Sequence, residues 1–222
     1  MQRNKELILA LLAVLAVTAL YAAALAVAGV PAAGGFLGHS LGILGLLLML
    51  MTETLYSLRK RALRRPWGTM RSWLQFHIFT GIVGPYLVFL HAAWSFQGLA
   101  GALTLMTGVV VFSGFVGRYI YTAVPRTVEG VVIEAEALQL RLAEARADVV
   151  RLGGSPSATP ASPQARQARS RLRELERQMG ALRWARRLLA TWHTVHIPLG
   201  MVLFVTAFVH AGAALYYATL LR

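Results

Sequence analysis

Apolar positions run almost unbroken through four stretches in the first half of the chain and one at its end, and polar residues are confined to what lies between. The pattern predicts five membrane spans, at about residues 7 to 29, 36 to 56, 74 to 95, 99 to 122 and 189 to 219. Each is long enough to cross a hydrocarbon core about 30 Å thick. The first span starts with the charged MQRNKE, as a signal peptide would, but its apolar stretch is longer than a signal core and is expected to stay as an uncleaved helix.

Between residues 123 and 188 the period changes. Leu138, Leu142, Ala145, Val149 and Leu152 step by fours and threes, as do Leu172, Leu175, Met179 and Leu182, and GGSPSATPASP separates the two stripes. This predicts an antiparallel helical hairpin around a flexible turn. The expected fold is therefore an all-α membrane protein: helices 1 to 4 in residues 1–122, a cytoplasmic hairpin in 123–188, and a fifth helix in 189–222 that completes a cofactor-holding bundle.

Of the 222 residues, 57% are hydrophobic and 14% charged, too apolar for an ordinary soluble domain. The net charge of +13 invites a nucleic-acid reading, but most of the arginines and lysines sit in segments flanking spans rather than on a domain with stacking aromatics. Topology explains them better. Arg59, Lys60, Arg61, Arg64, Arg65 and Arg71 crowd one connection, whereas PAAGG and SFQ carry no charge. Short basic loops stay cytoplasmic, which places the N-terminus inside and the end of the chain, Leu221 and Arg222, outside, in a bacterial inner (plasma) membrane. Without cysteine there is no disulfide, no Cys-ligated iron–sulfur cluster and no CxxCH site for covalent haem. No GxGxxG on a strand-to-helix turn and no P-loop occurs; GGFLG is a connection between spans.

The chemistry rests on histidine. His77 and His91 lie fourteen positions apart in HIFTGIVGPYLVFLH, and His196 and His210 repeat the spacing in HIPLGMVLFVTAFVH. Fourteen helical residues make nearly four turns and rise about 21 Å, so both imidazoles of a pair share one face near opposite sides of the membrane. Aligning the two runs also matches Trp73 with Trp192 and Gly81 with Gly200. In the expected topology the third and fifth spans run in the same direction. His77 then stands level with His196 on the cytoplasmic side, and His91 with His210 on the outer side. Two imidazoles fill both axial positions of a haem iron, so the pairs imply two b-type haems, His77/His196 and His91/His210, each six-coordinate and suited to passing electrons.

Gly81 and Gly200, one turn beyond the inner ligands, are expected to clear room for a porphyrin, as are Gly108, Gly114 and Gly117, although small residues also serve plain helix packing. Arg71 and Arg118, at cytoplasmic span ends, are candidate partners for haem propionates; positive-inside bias alone would also place them there. Pro85 and Pro198 permit kinks in the ligand helices. His193 is a candidate for a propionate, a quinone headgroup or the interface, and His39 reads as a snorkelling residue.

The string FHIFTGIVGPYLVFLHAAWSF resembles the first ligand helix of ferric-reductase-like transmembrane domains, where a His, a Gly four later and a second His fourteen later recur. The two equal spacings also resemble the four-helix core of di-haem cytochrome b, and the likeness covers mainly the third to fifth spans. Ferric-reductase-like proteins usually have a shorter second spacing and often a cytoplasmic flavin domain, and the cytochrome b motif for quinol oxidation is not evident. The resemblance therefore implies haem ligation by His77, His91, His196 and His210, and no more. The leading expectation is a di-haem electron-transfer subunit of an oxidoreductase complex. Its partners would be a cytoplasmic flavoprotein or iron–sulfur protein, an outer-side electron carrier, and membrane lipid. The alternatives are a quinone-reactive anchor of a larger oxidoreductase, a transition-metal transport protein, and a structural adaptor presenting the hairpin.

Overall fold

The computed structural model describes residues 4–29, 34–61, 68–93, 96–122, 135–152 and 162–220. Among them there are only helices, in the order α1 (Lys5–Ala28), α2 (Phe36–Arg61), α3 (Met70–His91), α4 (Gly98–Thr122), α5 (Ala135–Arg151) and α6 (Pro163–Leu220). Five of these, all but α5, are long and apolar enough to cross a membrane. Arg64, Arg65, Leu221, Arg222 and the turn at 153–161 lie outside the described residues, as do the side chains of Arg59, Lys60 and Arg61.

The expected boundary at residue 189 is not a helix boundary. The stretch ALRWARRLLATWHTV holds no glycine, proline or turn signal, and its Ala, Leu and Arg are strong helix formers, so α6 continues from the hairpin seam into the last apolar run. Composition changes along α6 while the backbone does not. The chain forms two compact units, residues 1–114 with 196–222 and residues 115–195, which divide inside α4 and α6.

The first unit is built on α3. Ala10 of α1 packs with Val83 and Leu87 of α3, joined by Leu41 and Leu48 of α2. Two hydrogen bonds tie α1 to α3, Gln75 to Glu6 at 3.3 Å and Tyr86 to Thr18 at 2.6 Å. The closest approach is between α2 and α3, where a Cβ on Gly45 would sit 2.8 Å from the Gly84 carbonyl oxygen and one on Gly84 3.0 Å from that of Gly45. Only glycine lets two helix backbones come so near. Met49, Leu103 and Leu203 form a second cluster from α2, α4 and α6, with Val88 of α3 against it. Outside these contacts the surface is oily. Leu12, Phe112, Met201 and Val205 are 56, 70, 60 and 65% exposed, an arrangement that needs hydrocarbon as solvent.

The second unit contains the hairpin. Leu138, Leu142, Ala145 and Val149 of α5 bury against Leu172, Leu175, Met179 and Leu182 of α6. Arg146 pairs with Glu176 at 3.3 Å, while Gln139, earlier on α5, shares a groove with Arg183, later on α6; the helices therefore run antiparallel. Steps of four and three average 3.5 residues, the repeat of a left-handed coiled pair. Leu138 is fully buried, so Leu138→Ala is expected to destabilise the hairpin by about 2 to 5 kcal/mol. Limited proteolysis across a temperature series should show cleavage in the hairpin at lower temperature, with the exposed Leu140→Ala unchanged; equal behaviour of the two variants would contradict the seam.

Candidate cofactor site

Three of the four repeated histidines are anchored in the same way. His77 Nδ1 lies 3.2 Å from the Thr52 carbonyl oxygen and His91 Nδ1 2.8 Å from that of Gly38, both on α2. A carbonyl can only accept, so each ring carries its proton on Nδ1 and its lone pair on Nε2. His196 Nδ1 is 2.6 Å from Ser113 Oγ on α4. Ser113 Oγ also lies 2.8 Å from the Val110 carbonyl oxygen on its own helix. His210, on α6, is half-buried.

The two anchors on α2 are spaced like the histidines they hold. Gly38 and Thr52 are fourteen residues apart, as are His91 and His77, and the pairs meet in reverse order as antiparallel neighbours do. Between them Gly38, Gly42, Gly45, Met49 and Thr52 follow one another by fours and threes, one stripe of α2 against α3. A Cβ on Gly42 would come within 2.9 Å of the His91 ring, so this glycine provides the space in which that imidazole lies. At the other end Thr52 donates to Thr80 at 2.6 Å, and Thr80 directs its own proton to the Phe76 carbonyl at 2.9 Å. Both threonines are buried, and their pairing fixes the register beside His77.

The remaining expected site residues fall as follows. His210 and His39 both lie within electrostatic range of His91, and the His39 ring centre is 6.4 Å from it. His77 and His196 are held from different helices, α2 and α4. Gly81 faces Thr52, where a methyl would meet its Cγ2 at an ordinary 3.6 Å, whereas a Cβ on Gly200 would point into open space. Gly108 clears Phe89, Gly114 lies beside the His196 ring, and Gly117 gives its room to Trp192. The matched tryptophans have different surroundings, since Trp73 packs edge-on against Phe76. His193 stacks obliquely on Trp192, with ring centres 4.7 Å apart. Arg71 is exposed on the first turn of α3, and Arg118 is half-buried in the second unit.

Thr52, Gly38, Gly42 and Ser113 were not singled out from sequence. The stripe of small residues on α2 was the available signal for the first three; Ser113 had none.

The donor set suits a haem. Neutral imidazoles with Nε2 lone pairs are axial ligands, and a second partner on Nδ1 orients the ring and raises its basicity. A porphyrin supplies four nitrogens and asks two of the protein, whereas a bare transition-metal ion needs three or four donors gathered at one point. Among the described residues no group of three or more His, Cys, Asp or Glu is placed to hold a metal ion.

No protein-family model matches the chain, and neither any curated protein nor any solved structure matches it significantly.

Overpacking at the His91 anchor gives a direct check. Gly42→Val is expected to cost about 1 to 3 kcal/mol and to lower the melting temperature in detergent, whereas Gly212→Val, with nothing within 4 Å of its Cβ, is not. Equal melting temperatures for the two variants would show that Gly42 holds no tight contact.

Proposed function

We propose that this chain is a di-haem b-type membrane cytochrome, the electron-transfer subunit of an oxidoreductase complex. The reading is supported above all by the matched anchors on α2, which leave His77 and His91 with Nε2 lone pairs fourteen residues apart on one helix. Haem held by these imidazoles would supply a one-electron carrier. His77 and His196 hold the cytoplasmic-side group, and His91 and His210 the outer-side one. Thr52, Gly38 and Ser113 orient three of the rings, and the apolar side chains of α3, α4 and α6 keep water from the pair. Gly200 leaves clearance for a macrocycle edge, Gly81 sits one turn beyond His77, and Arg71, exposed on the first turn of α3, is a cation that could meet a propionate.

The protein is an integral one of a bacterial inner membrane, with its N-terminus and hairpin cytoplasmic. Electrons pass between a cytoplasmic flavoprotein or iron–sulfur protein and an outer-side carrier. The two histidines of each ligand helix, about 21 Å apart along it, would hold two such groups at different depths of the membrane, which a lipid bilayer alone does not offer to electrons. A metal-transport path is less well supported, because it calls for clustered donors that the described residues do not gather.

The activity is testable in sealed phosphatidylcholine vesicles loaded with ferricyanide and exposed to external dithionite. The haem-loaded protein is expected to bleach the trapped ferricyanide, and His91→Ala to slow the bleaching at least about tenfold, by removing one carrier's axial ligand. Identical rates for protein-free, wild-type and His91→Ala vesicles would overturn the proposal.

A further inference from the structure

We infer that Ser113 is the positioning residue for His196; the inference rests on the haem reading above. The hydroxyl lies 2.6 Å from His196 Nδ1 and donates its proton to the Val110 carbonyl at 2.8 Å, one turn back on α4. In this arrangement the oxygen is the acceptor and the His196 Nδ1–H the donor. It selects the His196 tautomer with Nε2 available to iron and fixes the ring's rotation about its own side chain. Gly114, next along α4, lies beside the same ring, where a Cβ would make an ordinary 3.8 Å contact with Cε1.

His196 Nδ1 meets a side-chain hydroxyl, whereas the Nδ1 atoms of His77 and His91 meet main-chain carbonyls. The cytoplasmic-side ligand pair therefore has one member that a single substitution can release without disturbing a helix backbone. An ordinary serine that only bonds back to its own helix would not affect the iron.

The test compares Ser113→Ala and Ser113→Thr with wild type by electron paramagnetic resonance of the ferric haems and by redox titration. Ser113→Ala is expected to shift or remove the signal and midpoint of one haem, with about a tenfold or greater loss of its affinity, while the other haem is unchanged. Ser113→Thr, which keeps the hydroxyl, is expected to restore wild-type behaviour. Two unchanged haems in Ser113→Ala would overturn the inference and leave the haem reading standing. So would loss of both haems together, or equal effects of Ala and Thr. A wild-type protein with no haem signal would overturn the haem reading itself, and this inference with it.

Discussion

The close contact between α2 and α3 is the constraint on which the candidate site depends. An imidazole N–H buried away from water costs about 1 to 3 kcal/mol if it finds no acceptor. In a hydrocarbon slab the available acceptors are side-chain oxygens and helix carbonyls, whose second lone pair is normally shielded by side chains. Gly42 and Gly45 leave no side chain on one stripe of α2, where a Cβ would run into the His91 ring and the Gly84 carbonyl of α3, and the Gly38 carbonyl on the same stripe reaches His91. The same approach lets Thr52 meet Thr80, which locks the register and holds the Thr52 carbonyl opposite His77. Two rings fourteen residues apart are thereby set by one interface rather than by two unrelated loops.

The two units solve opposite solvation problems with one secondary structure. In the first, large apolar side chains face outward, and glycine, threonine, histidine and a buried Glu6 face other helices. In the second, Leu138, Leu142, Leu172, Leu175 and their neighbours bury in the α5–α6 seam, and arginines and glutamates lie exposed beside it, with Arg146 and Glu176 paired across it. α6 belongs to both patterns, and its backbone needs no break where its surroundings change, because helix propensity and hydropathy are independent properties of the side chain.

This independence explains what could be read from the sequence. Spans and seam were legible because hydropathy and a 3.5-residue repeat are carried by side-chain type; Leu138, Leu142, Leu172 and Leu175 pack as their spacing predicts. The junction at residue 189 was drawn from composition and proved to be continuous helix. The histidines stood out through their spacing, but their anchors did not. A main-chain acceptor such as the Gly38 or Thr52 carbonyl has no sequence signature of its own, and Ser113 reaches His196 across 83 positions of chain. Likewise, only the fold distinguishes Gly42, which accommodates a ring, from Gly212, which borders nothing.

Pyridine-haemochrome quantitation, with a reduced-minus-oxidised visible spectrum of the purified wild-type protein, is the decisive measurement of haem binding. Close to two b-type haems per chain are expected, each with the narrow α-band of a six-coordinate bis-imidazole iron. A colourless protein, fully inserted in the membrane and unable to take up added haemin, would contradict it.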